Sequence, residues 1–221
     1  MNARSIPAPA VAVPAGEVDS RAAYLSFTLA YVIGHGSAAL SKGADPVLSL
    51  PAWLPITLFV TGLIPALVLG VRAGIRSQQG AGESRRHAEK LLGIAWCTAF
   101  TALFLAITGL TRAFDQPGLQ DMLWAAGSVL IVGLMNIAEG TARRNNLHYT
   151  LGSWLALIAA GSLFTTDILG VYTILAIAAG GGYAVATVLE HRRLAALSTA
   201  SAERIGKDPA NERQLDQLRV R

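Results

Sequence analysis

The sequence predicts an all-α, polytopic integral membrane protein with six transmembrane helices and both termini cytoplasmic. Three observations carry this. Of 221 residues, 52% are hydrophobic and 14% charged, whereas a soluble domain carries about 25% charged residues. The hydrophobic residues fall into six blocks, each long enough to cross about 30 Å of hydrocarbon at about 1.5 Å per residue. The basic residues are also sorted. Assigning alternate connections to opposite sides leaves only Lys42 and Arg112 of the 18 Lys and Arg outside, as expected when basic loops are retained on the cytoplasmic side.

Taken in order, residues 1–21 read as a disordered cytoplasmic tail. Pro7, Pro9 and Pro14 interrupt its small-residue run, so the uninterrupted helical core of a signal peptide is not expected. Residues 22–191 form the transmembrane domain, with spans at 22–40, 51–71, 91–111, 122–138, 147–166 and 168–189. None has Asp, Glu, Lys or Arg in its interior. The fourth is the shortest and can extend outward to Leu119. The fifth and sixth are separated by a tight turn at Asp167. The connector from Arg72 to Lys90, with Gln78-Gln79-Gly80-Ala81-Gly82 in its middle, reads as flexible and basic. Residues 192–221 form a basic cytoplasmic tail that continues the sixth helix for a turn or two before Gly206.

Aromatic placement agrees with this topology. Trp53, Trp124 and Tyr172 fall near the outer boundary, and Tyr24, Trp96 and Tyr149 near the inner one, where amphipathic rings are favoured. Three hairpins in parallel are suggested by Gly62 and Arg72, Gly133 and Arg143, Gly182 and Arg192, each pair ten residues apart. Abundant glycine and positive-inside sorting would produce the same spacing without a repeat.

Helices in lipid associate through close contact of small residues. Gly152, Ala156 and Ala160 in span five, and Ala176, Gly180 and Ala184 in span six, offer such faces. They serve the bundle itself or, alternatively, a homo-oligomer. Pro65 in span two predicts a kink, read as fixed shape in preference to a hinge. Gly180-Gly181-Gly182 marks a second point of close approach or local unwinding.

Candidate chemistry is sparse. His35, within Gly34-His35-Gly36-Ser37, is the one ionisable side chain deep inside a span, and such residues are functional candidates by default. A neutral imidazole bonded to a neighbouring helix is the plainer account. At the inner rim, Asn136, Glu139 and Arg143 share one face of span four, with Glu139 and Arg143 in the favourable i, i+4 order. Glu190 and Arg193 form a similar pair, and His148 and Tyr149 lie at the depth of this layer. His35, Ser37, Asn136, Glu139 and His148 are therefore the candidate polar-site residues, with interfacial ion pairing as the plainer account of the last three.

The single cysteine, Cys97, excludes an intrachain disulfide, and no Cys/His spacing suits a metal. Bis-histidine haem, a retinal Schiff base and a mid-membrane carboxylate relay each lack a required residue. No Walker A sequence is present. The expectation is a non-enzymatic protein without a cofactor that touches the lipid bilayer and does not bind nucleic acid. A small permease or channel-type subunit for a small solute leads, working with a cytoplasmic partner such as an ATPase or as an oligomer. A non-transporting accessory protein and a membrane sensor are the alternatives.

Overall fold

The computed structural model describes residues 17–206 apart from 44, 80 and 166. Most of the expected N-terminal tail, and the C-terminal tail beyond Gly206, lie outside the described residues. Within them the chain is helical, with no strand. It forms six rods. α1 occupies residues 21–41 as Arg21–Leu29, a π-helical stretch Ala30–His35, and Gly36–Ser41; α2 is Trp53–Ser77, α3 Glu83–Phe114, α4 Pro117–Arg143 and α5 Asn146–Ser162. α6 occupies residues 168–206 as Ile168–Ile174, a second π-helical stretch Leu175–Ala179, and Gly180–Gly206. Among the described residues, four helices are long and apolar enough to cross a membrane: Trp53–Ser77, Glu83–Phe114, Gly118–Arg143 and Ile168–Ala200.

Local chemistry sets the ends. Pro117 opens α4 at a position where its missing N–H costs nothing. The Asn145 side chain caps α5 by accepting from the His148 backbone N–H at 3.1 Å, and Asp167 caps α6 through the Gly170 N–H at 2.7 Å. Both are side-chain oxygens satisfying donors that a helix leaves free. Two non-glycine residues close helices in the left-handed conformation, Asp115 after α3 and Arg144 after α4. The Asn145 N–H then returns to the Gly140 carbonyl.

Several boundaries differ from expectation. The connector between spans two and three shrinks to 78–82, because α2 runs on to Ser77 and α3 starts at Glu83. The basic segment on either side is therefore helical. α5 ends at Ser162, four residues early, since Leu163 and Phe164 turn back onto Ala160 and Gly161. α6 runs unbroken to Gly206, beyond the turn or two expected. α2 continues through Pro65 as one helix.

Packing follows the small residues. A Cβ on Gly133 would lie 2.5 Å from the Ala156 nitrogen, and one on Gly152 2.6 Å from the Gly133 carbonyl. α4 and α5 thus meet backbone to backbone. The Gly152–Ala156 part of the span-five stripe is used inside the chain, while Ala160 is exposed. In span six Gly180 meets Val32, and Ala184 is exposed. α1 packs against both α2 and α6, and its π-helical stretch faces that of α6. α3 lies along α4. The glycines of the suggested repeat differ in their neighbours: Gly62 meets Ala30, Gly133 meets Ala156 and Gly182 meets Trp154.

The buried core lies between α1, α4, α5 and α6. The outward faces of α2 and α3 carry large exposed apolar side chains, among them Ile56, Ile64, Ile75, Ile94, Phe104 and Leu105. Such a surface suits contact with a lipid bilayer, where apolar exposure carries no penalty.

Candidate functional site

His35 closes the π-helical stretch of α1 and is 6% exposed. A π-turn carries an extra residue in the helical winding, so it re-aims the side chain at its end. The imidazole sits among aromatic rings, with centroids 4.7 Å from Phe59, 5.1 Å from Tyr31 and 5.6 Å from Tyr172. Its Nε2 is buried and has no hydrogen-bond partner. The ring lines a cavity of about 430 Å³ whose walls include Phe59, Trp124, Ser128 and Tyr172. That volume lies within the range of small-molecule sites, about 300–1,000 Å³.

The glycines flanking His35 serve different ends from the approach of a ligand to its ring. A Cβ on Gly34 would lie 2.5 Å from the Cβ of Phe59, so this glycine lets α2 close against α1; nothing lies within 4 Å of a Cβ on Gly36. Ser37 donates to the Gly34 carbonyl at 2.9 Å on its own helix and is not among the cavity's lining residues.

Above this cavity lies a more open groove of about 840 Å³, edged by Asp115, Asp121 and Asp167. Lys42 and Asp121 line both spaces and form an ion pair. Lys42 also stands 5.5 Å over the Tyr172 ring. Partial burial pulls the Lys42 ammonium toward lower pKa, but the hydrogen bond and charge of Asp121 outweigh it and the pKa ends above its ordinary value.

The second polar centre is the C-terminal end of α4. Glu139 accepts from Trp96 Nε1 at 2.7 Å and from Arg143 Nη1 at 2.7 Å. Arg143 turns its other edge onto Glu89 through two bonds of 2.8 and 2.7 Å, a bidentate fork. His148 Nε2 lies 3.2 Å from Glu139, and its Nδ1 is bonded to the Tyr24 hydroxyl. A ring protonated on Nε2 satisfies both contacts, donating to Glu139 and accepting from Tyr24. Asn145 holds His148 in place by capping the first turn of α5.

Asn136, one turn further in, is 6% exposed and packs where Gly152 meets α4. The buried Tyr183 hydroxyl lies close to the Asn136 side chain and near Tyr24 and Tyr31, but makes no hydrogen bond of full geometry. Next to this centre, the fully buried Glu190 is bound by Arg193 at 2.7 Å and by the Ser20 N–H at 3.3 Å. Arg193 also reaches Glu17 and the Val18 carbonyl, which ties residues 17–20 to α6. Arg21 beside Asp19 holds that carboxyl below the usual range, the hydrogen bond outweighing partial burial.

Of the five candidate residues, Glu139 and His148 come together as the spacing implied, Asn136 lies close by, and His35 stands apart in its own cavity. Ser37 joins neither. The Glu139–Arg143 and Glu190–Arg193 pairs form as expected, but Tyr149 is exposed and lies outside the polar layer. Sequence reasoning missed Glu89, Tyr31 and Tyr183. Glu89 lay in a segment read as loop. The tyrosines carried no signal beyond hydrophobic spacing, because depth along a span is legible and facing direction across helices is not.

Comparison with protein-family models, curated proteins and solved structures gives no match. Among the described residues, no three His, Cys, Asp or Glu side chains group as a metal site. Function is therefore argued from the geometry.

Proposed function

We propose that this chain is a small permease or channel-type membrane protein in which all six rods cross the bilayer with both termini cytoplasmic. It binds a small solute in the outer half, against His35. The observation that carries the reading is His35, which lines a cavity of about 430 Å³ and whose buried Nε2 has no hydrogen-bond partner. Buried polar atoms are almost always hydrogen-bonded, so an orphan in a cavity is a binding feature.

The cavity suggests the solute's chemistry. Its walls are chiefly aromatic and aliphatic, with Ser128 and the Lys42–Asp121 pair as its other polar groups. A compact, uncharged solute with an apolar body and one hydrogen-bonding group fits those walls. The open acidic groove above is its vestibule. The reading is of a non-enzymatic protein. The exposed apolar faces of α2 and α3 support lipid contact.

The test is uptake by cells expressing the protein, screened over small neutral solutes, with His35→Ala alongside. Loss of uptake at normal expression is expected. Unchanged uptake by the variant removes His35 from transport and leaves the accessory-protein reading in its place.

A further inference from the structure

Tyrosine and histidine rings form one continuous column from the outer cavity to the inner polar centre. Starting from His35, ring centroids are separated by 5.1 Å to Tyr31, 5.4 Å to Tyr183, 6.0 Å to Tyr24 and 5.7 Å to His148. His148 then contacts Glu139 at 3.2 Å. Above the column, His35 faces Tyr172, over which Lys42 stands beside Asp121. Each histidine can accept a proton at one ring nitrogen and release one from the other, and each tyrosine hydroxyl can both accept and donate at its one oxygen.

Two further observations single this column out from ordinary core packing. The buried side-chain atoms without a hydrogen-bond partner among the described residues are His35 Nε2 and Tyr183 Oη, and both belong to it. A well-packed apolar core has no use for such orphans, because each leaves a desolvated polar atom uncompensated. Both π-helical stretches also flank the column. Ala30–His35 contains Tyr31 and His35, and Leu175–Ala179 packs against it. A π-turn interrupts the i→i−4 ladder and leaves carbonyls able to accept from a passing proton donor.

We propose that this column conducts protons across the membrane, with His35, Tyr31, Tyr183, Tyr24, His148 and Glu139 as its relay. A proton from the acidic outer groove adds to one nitrogen of His35 as the ring releases another inward. Each tyrosine hydroxyl takes a proton on its oxygen while passing on the one it held, with water bridging at His35 Nε2 and Tyr183 Oη. His148 receives at Nδ1 from Tyr24 and releases from Nε2 to Glu139, whose proton leaves to water at the inner rim. The groups return to their starting states after the hydroxyls and rings reorient, and one proton has crossed for each one that entered. The inference rests on the permease reading only for its purpose, which is to let a proton gradient drive the solute. Conduction itself rests on the column.

The experiment uses the purified full-length chain in vesicles of phosphatidylethanolamine and phosphatidylglycerol with a pH-sensitive dye inside. A valinomycin-clamped potassium gradient drives protons inward, with no solute present. Acidification well above that of protein-free vesicles is expected. Tyr183→Phe and Tyr24→Phe each remove one hydroxyl and keep the ring, and each should slow acidification by about tenfold or more. The exposed Thr150→Ala should leave it unchanged. No flux above protein-free vesicles, or Tyr183→Phe and Tyr24→Phe both conducting like the parent chain, overturns the proposal. If uptake still depends on His35 while proton flux is absent, the column has failed and the permease reading stands.

Discussion

Glu139 shows how much one buried charge is asked to do. It receives an indole N–H, a guanidinium and an imidazole on its two oxygens, so its charge is balanced on three sides. Removing one partner from such an arrangement leaves the others buried and unpaired, which typically costs about 3–5 kcal/mol. Arg143 keeps its fork to Glu89, so the lower end applies here. Glu139→Ala should therefore lower stability by about 3 kcal/mol, seen as a fall in melting temperature in detergent. An unchanged transition would mean that the three donors are satisfied without it. His35 is the opposite case. It has ring neighbours and no polar partner at Nε2, so burying its ring nitrogen is uncompensated by any hydrogen bond within the protein.

The strongest contact between elements is that of α4 with α5, and its cause is small residues in register. Gly133 and Gly152 each abut the other helix's backbone, which brings the axes close enough for dispersion along their whole length. Gly133→Ala should cost about 2 kcal/mol or more, because backbone cannot move aside as a side chain can. Gly93→Ala in α3, where nothing lies within 4 Å, should be neutral or slightly stabilising, since alanine is the better helix former. Comparing the two variants by detergent melting checks the interface. Equal melting temperatures would overturn it. The helices and their order were legible in the hydrophobic blocks, because length and composition are properties of the chain alone. The π-helical stretches in α1 and α6 were not. They arise where two helices wind around each other, and neither Tyr-Val-Ile-Gly-His nor Leu-Ala-Ile-Ala-Ala carries a local signal for an extra residue per turn. The Gly180 triplet marked the right neighbourhood for close approach, one residue after the second stretch.

At the scale of the molecule, the proposed topology rests on charge sorting, and labelling tests it. In a Cys97→Ser background, Arg85→Cys should react with a membrane-impermeant maleimide only after the cells are opened. Gln116→Cys, at the opposite end of α3, should react from outside. Reversed labelling would invert the orientation, and outside labelling of both would break the span count. The proposed proton path shares that vector, running from the acidic groove at the end of α3 and α4 toward the Glu139 centre where Arg143 and Glu89 meet.

The sequence alone determined the helical class, the location of the apolar segments, and the two i, i+3 and i, i+4 ion pairs. These are one-dimensional matters: hydrophobic length, charge order and the pitch of a single helix decide them. Tertiary structure decided that His35 faces an aromatic cavity, that Glu89 and Trp96 join Glu139, and that Tyr24, Tyr31 and Tyr183 stand in line between them. Each of those depends on the rotation of one helix about its axis relative to another. That rotation is set by which small residues let backbones meet, and a single sequence does not write it down.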